Sequence, residues 1–176
     1  MTSATQPVIP YNFSPATARP GEILHGCMRP GSMEMGAQKV TKEELVAWSD
    51  DMKARGISRV IGLLSQEEIE SGYEIPPAEL FTLDSKNGLV AFNVNEAEYP
   101  KSVDSVMKLV DTAEKAGEKV ALHCWGGSGR TGTMLAALAM KRYGLTLDQA
   151  TGEILAYSES VGAKREFKLK NLQTIV

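Results

Sequence analysis

The stretch Val120 to Gly132 reads VALHCWGGSGRTG and gathers the chemistry-bearing residues of the chain. An apolar strand runs into a glycine-rich loop, and a helix opens at once. That order aims backbone N–H groups and the positive end of a helix dipole at one point. Gly126, Gly127 and Gly129 permit the tight, partly left-handed curl of an anion nest. A nucleotide P-loop is excluded, because its G-x-x-x-x-G-K-[ST] pattern needs a lysine that this stretch lacks. The loop instead starts on Cys124 and carries Arg130 six positions on. A thiol facing N–H donors, a helix N-terminus and a guanidinium is stabilised as the nucleophilic thiolate. Arg130 is a planar, two-pronged donor matched to phosphate oxygens. Together they predict attack by Cys124 on a bound phosphoryl group. The backbone of Trp125, Gly126, Gly127, Ser128 and Gly129, with Arg130, is expected to hold its oxygens.

His123-Cys124-(five residues)-Arg130-Thr131-Gly132 resembles the H-C-x5-R-[ST]-G signature loop of the cysteine-dependent protein tyrosine phosphatases. From about Ile23 to Tyr157 the chain is similar to the small dual-specificity-like members, archaeal tyrosine phosphatases and compact atypical animal enzymes among them. Asn12-Phe13-Ser14 and Met28-Arg29-Pro30-Gly31 resemble their opening segment more weakly. The resemblance implies an α/β fold whose central, mainly parallel sheet has about four to five strands flanked by helices, with the cysteine loop at its C-terminal edge. It implies hydrolysis of phosphotyrosine in a phosphorylated protein or peptide, through a phosphocysteine. Phosphoserine and phosphothreonine stay open, because pocket depth decides between them. It further implies that His123 orients the loop, for which a hydrogen-bonded core histidine is the structural alternative. The Thr131 hydroxyl can bond the cysteine sulfur, or cap the helix, or both. Trp125 is expected to pack at the rim or core, and Cys27 to be a small buried hydrophobe. A low-molecular-weight phosphatase carries its cysteine near the N-terminus, and a rhodanese-type sulfurtransferase lacks this spacing.

Breaking a phosphate ester also needs a proton for the leaving oxygen. In the family an aspartate supplies it, four residues before a proline. Counting back from Pro100 gives Glu96, with Glu98 as the competitor and a pair of solvated loop charges as the third reading. Relatives often carry an Arg-Pro-Gly turn and then a glutamine segment that positions the hydrolytic water. Ser158 to Glu166 (SESVGAKRE) has no matching glutamine, and Lys164 and Arg165 read as solvated helix charges, with contact to substrate phosphate groups as the alternative. Two other classes fit the same residues: a phosphate-binding pseudophosphatase with weak turnover, and a cysteine-based sulfurtransferase or reductase.

The elements that must position these groups follow from periodicity and caps. Strands are expected at Ile23–Cys27, Arg59–Leu64, Leu89–Val94 and Lys119–Cys124. Thr41 and Glu44 form a capping box for a helix stopped at Gly56. Short helices follow Ser65, the second starting at Pro76–Pro77; another runs from Ser102 to Gly117. Thr131 to Tyr143, apolar nearly all round, predicts a buried helix stopped by Gly144. Thr146 and Gln149 cap the next, and a basic helix is expected over Lys164–Ile175. Residues 1–20, with four prolines, read as an extended arm before a single domain at 21–176. A chain of 176 residues can bury a core without staples. Two cysteines are too few for a disulfide framework, which points to a cytosolic-type, cytoplasmic protein. No apolar run reaches membrane length, and no HExxH, CxxC or EF-hand spacing calls for a metal or other cofactor. A net charge of −3 argues against non-specific nucleic-acid binding. The expectation is a monomer without membrane or nucleic-acid partners. On net charge alone an enzyme of anions is not the first guess.

Overall fold

In the computed structural model, residues 9–31 and 39–175 are described. Strands β1 (Ser14–Pro15), β2 (Leu24–Met28), β3 (Ile57–Gly62), β4 (Val90–Asn93) and β5 (Lys119–Cys124) form one sheet in the order β1-β2-β5-β3-β4. β2, β5, β3 and β4 run parallel, and β1 pairs antiparallel with β2 at the edge. The helices are α1 (Lys42–Ala54), α2 (Gln66–Gly72), α3 (Pro77–Lys86), α4 (Lys101–Lys115), α5 (Gly129–Tyr143), α6 (Leu147–Ser160) and α7 (Leu169–Leu172). The α/β architecture expected from the sequence is the one observed.

The central strand β5 shows how alternation builds two cores. Val120, Leu122 and Cys124 face one side, with Leu24, Ile61, Val106, Leu135 and Ile154. Ala121 faces the other, with Cys27, Trp48, Met52 and Val60. A third cluster, Val40, Leu45, Leu64, Ile69, Tyr73, Ile75 and Leu80, seats α2 and α3 beside α1. α5 lies in the first core, buried from Thr131 to Met140, which is why its sequence is small and apolar on every side.

The capping boxes at Thr41/Glu44 and Thr146/Gln149 form as predicted, and α2 carries a further one at Ser65/Glu68. Two expectations change. Within residues 1–20, Ser14 and Pro15 form β1 and Phe13 is buried, so this part of the expected arm is built into the sheet and core; residues 1–8 lie outside the described residues, as do 32–38 of the loop before Lys39. The expected helix over Lys164–Ile175 is an extended segment to Lys168, followed by α7 and one 3-10 turn, Gln173–Ile175. Its N–H groups go elsewhere: Lys164 N–H to Asn12 Oδ1 at 2.7 Å, and Lys168 N–H to Thr133 Oγ1 at 2.9 Å. Tertiary acceptors have replaced the helical ladder. Among the described residues, no helix is long and apolar enough to cross a membrane.

Candidate active site

β5 ends on Cys124 and α5 opens at Gly129, so the strand–loop–helix unit read from the sequence is present. Cys124 is buried, and the Thr131 hydroxyl donates to its Sγ at 3.1 Å. α1, α2 and α6 start with side-chain caps, whereas Ser128 makes no capping bond to the first turn of α5. The orphan N–H groups of that turn are therefore left for the loop's concave side.

The carbonyls explain how the curl is held. Cys124 O and Trp125 O accept the Arg29 N–H, at 3.1 and 3.4 Å. Gly126 O accepts from Asn12 Nδ2 at 3.0 Å, and Gly127 O from Arg165 Nη1 at 3.0 Å. Ser128 O accepts the Gly132 N–H at 2.7 Å and faces the Glu166 N–H at 3.5 Å. Carbonyls 124 to 128 are thus engaged in sequence. In a trans peptide the N–H opposes the C=O. Tying these carbonyls away from the concave side turns the following N–H groups, those of residues 125 to 129, toward it. Gly127 has φ +72°, and a Cβ there would lie 2.5 Å from the Cys27 carbonyl carbon. Conformation and the close approach of β2 both require glycine at this position.

Arg130 is anchored from a distance. Its Nη1 donates to Leu63 O at 2.9 Å and Glu68 Oε2 at 2.6 Å, and its Nη2 to Glu68 Oε1 at 2.7 Å. Three of the five guanidinium donors are so used. The remaining two, Nε–H and one Nη2–H, lie on the same edge and form a parallel fork suited to a phosphate. The hydrogen bonds that it donates to Glu68 hold the guanidinium's pKa above its ordinary value. Burial would raise the Glu68 carboxyl, but the bonds from Arg130 and Ser65 outweigh it and bring the pKa below the usual range. The segment leading into α2, the helix that carries Glu68, is fixed in turn by Asn93, whose amide pairs with Leu64 N–H at 3.2 Å and Leu64 O at 2.9 Å.

His123 is buried edge-on to Trp48, with Nδ1 3.4 Å from Cys124 O, so both readings of this residue describe one arrangement. Burial lowers its pKa to about 4, only partly opposed by the backbone hydrogen bond at Cys124. The unfolded chain titrates this group near 6.5 and binds the extra proton between the two values. Stability from neutral His123 is therefore complete above about pH 6.5, declines as pH falls toward 4, and is not lost further below that. The span is about 3 kcal/mol at most. Thermal melts from pH 7 to 4 should show a shallower loss in His123→Asn than in the native chain; equal slopes would exclude this burial account. His25 shifts the same way but is retained in both proteins.

Trp125 packs at the rim, with the Arg29 guanidinium 3.5 Å from its ring centroid. Cys27 stands opposite His123 in the ladder and so shares the face away from Cys124. Burial pushes its thiol up to about 12, leaving an inert packing residue.

Of the two loop carboxylates, Glu98 is exposed, whereas the Glu96 side chain keeps 12% of its surface and pairs through both oxygens with Lys168 Nζ at 3.1 Å. Glu96 also acts electrostatically on Arg130 and Tyr99, which places it on the loop's side. Lys164 is exposed as expected. Arg165 is not a solvated helix charge: it is 4% exposed and lies beneath the loop, because its donors satisfy carbonyls that would otherwise be buried alone.

Residues 25–174 match the Swiss Army Knife protein, DSP-PTPase phosphatase domain family (PTP-SAK). The chain belongs to this family. The family is one of phosphatase domains of the dual-specificity type, and the fold agrees with it. Over 51 residues, 29% of this chain and 7% of the other, it is 39% identical to the tyrosine-protein phosphatase cdc-14 of Caenorhabditis elegans. The fold is that of kinase associated phosphatase, with a TM-score of 0.67 at 21% identity over 88% of this chain and 84% of that one. It is also that of Tk-PTP in its active form, with a TM-score of 0.58 at 19% identity, covering 92% and 93%.

In this member of the PTP-SAK family, residues that sequence reasoning did not single out stand around the loop and its partners: Glu68, Asn93, Asn12, Arg29 and Lys168. Two had a signal. Ser65-x-x-Glu68 is a capping-box pattern, and Asn12 and Arg29 sit in the stretches that resemble the family's opening segment. Asn93 and Lys168 had none.

Proposed function

We propose that this phosphatase hydrolyses phosphomonoesters on protein side chains, phosphotyrosine first and phosphoserine or phosphothreonine where they reach the loop, through a phosphocysteine. The observation that carries the reading is the run of loop carbonyls tied outward from Cys124 to Ser128, which leaves inward N–H groups around a thiol. In the first step the Cys124 sulfur bonds to phosphorus while the ester oxygen leaves, taking a proton from Glu96. Arg130 and the loop N–H groups hold the three non-bridging oxygens as charge shifts onto them. In the second step water attacks phosphorus, giving its proton to the Glu96 carboxylate left by the first step, and the S–P bond breaks with sulfur leaving as thiolate, eased by the Thr131 hydroxyl at 3.1 Å. The chemistry uses these residues alone, without a metal or organic cofactor, and the cytoplasm is the compartment proposed, since a thiolate is prone to oxidation.

A second reading has one observation in its favour. Lys168 Nζ donates to both oxygens of Glu96 at 3.1 Å, so the carboxyl that would serve the leaving oxygen is already engaged in an ion pair. A phosphate-binding protein with weak turnover would look the same. Single-turnover and steady-state assays on an aryl phosphate separate the two: continuous release of phosphate supports the enzyme, and a burst without turnover supports the binder. Glu96→Gln is expected to lower kcat about 100-fold on a phosphothreonine peptide and less on an aryl ester, whose leaving group needs less help. An unchanged kcat on both substrates would remove Glu96 from the mechanism. Parallel assays on phosphotyrosine and phosphothreonine peptides read the substrate preference directly.

A further inference from the structure

Counting charge around the loop exposes an imbalance. Arg130 is matched by Glu68, and Lys168 by Glu96. Arg29, stacked on Trp125, has Glu44 and Glu68 acting on its charge, whereas among the described residues no carboxylate acts on Arg165. Its guanidinium donates to Gly127 O (3.0 Å), Lys164 O (2.8 Å), Asn12 O (3.0 Å), Ser14 Oγ (2.9 Å) and Gly26 O (2.8 Å), all of them neutral acceptors. Among the described residues, the groups whose charge would offset it are the thiols of Cys27 and Cys124, and no carboxylate acts there. Burial accordingly pushes Arg165 down to about 10, still protonated at neutral pH.

A buried ion without a partner is costly, and proteins usually neutralise or pair it. Here the fold has made room for it. Gly26 lets the side chain cross β2, since a Cβ there would lie 2.8 Å from Arg165 Nη2 and 2.9 Å from Leu135 Cδ1 and Thr131 Cγ2. Asn12 helps from the other side: its backbone carbonyl takes one guanidinium donor while its amide binds Gly126 O and Lys164 O. A cation kept at this cost beneath an anion cradle finds its counterion in what the cradle holds.

We infer that Arg165 is a positioning residue of the site, fixing the Gly127 peptide with its carbonyl outward and supplying uncompensated positive charge that attracts an anion held in the loop from behind. This rests on the reading of the loop as an anion site. Arg165 does not touch substrate; it acts through Gly127 and through its field. Arg130 from α5, paired with Glu68, and the Cys27 thiol from β2, which burial keeps neutral, also interact with Cys124.

The test compares alkylation of Cys124 by iodoacetate, an anion, with alkylation by iodoacetamide, its neutral counterpart, at one neutral pH. The ratio of the two rates cancels differences in thiolate population and reads the site's potential, and buried Cys27 does not compete. The native chain should prefer iodoacetate, and inorganic phosphate should protect it. Arg165→Met should reduce the ratio about fivefold to tenfold, whereas Arg165→Lys should retain it within about twofold while kcat falls through loss of the Gly127 bond. An unchanged ratio in a folded Arg165→Met protein overturns the inference, as does a lost ratio in folded Arg165→Lys. Where Arg165→Met does not fold, the lysine variant decides alone. No preference and no phosphate protection in the native chain would instead defeat the anion-site reading itself.

Discussion

Cys124→Ser should abolish turnover of an aryl phosphate, by a factor of about 10⁵ or more, while inorganic phosphate still binds. The two halves of this result have separate causes. Serine differs from cysteine by one atom of similar reach, and the Thr131 hydroxyl can still donate to it. The donors that hold phosphate are backbone N–H groups fixed by Arg29, Asn12 and Arg165, together with Arg130, and none depends on sulfur. The first step, however, needs an anionic nucleophile at neutral pH, and a serine hydroxyl without an adjacent base does not provide one. Calorimetric titration with inorganic phosphate and steady-state assay of the same preparation check both halves. Turnover within tenfold of native would remove Cys124 from the chemistry, and lost phosphate binding would mean that the loop had collapsed.

The second large effect is expected at Arg130→Lys: a fall of about 10³-fold in kcat/KM, with little change in melting temperature. Lysine keeps the charge and can still pair with Glu68 or reach Leu63 O. It cannot do both and also present two parallel donors to phosphate, because its ammonium is a point charge and not a fork. Glu68→Gln should fall between Arg130→Lys and native, since the guanidinium keeps its charge and loses only its anchor. A lysine variant within about tenfold of native would show that charge alone suffices and that the fork geometry is idle.

How much of this was legible in the sequence varies with the distance over which each feature is decided. The alternation of strands and helices, the caps at Thr41 and Thr146, and the buried character of α5 were readable because each is encoded within a few consecutive residues. The C-terminal segment was misread as a basic helix because its composition allows one. Asn12 and Thr133, remote in sequence, take its N–H groups instead. β1 went unseen for a related reason: two residues with a proline carry no period, and only the edge of β2 makes them a strand.

The charge with which the chain presents itself, −3 over 176 residues, is no guide to the site, where the guanidiniums of Arg29, Arg130 and Arg165 and the ammonium of Lys168 stand around the loop against the carboxylates of Glu68 and Glu96. By itself the sequence determined the loop: Cys124, Arg130, Thr131 and the glycines between them act through local backbone geometry, so their order is enough to show what they can do. It did not determine what holds the loop in shape. Glu68 lies 62 positions from Arg130, Asn12 114 from Gly126, and Arg165 38 from Gly127. Each acts by satisfying a buried donor, acceptor or charge, and such a need arises only once the chain has folded and excluded the water that would otherwise meet it.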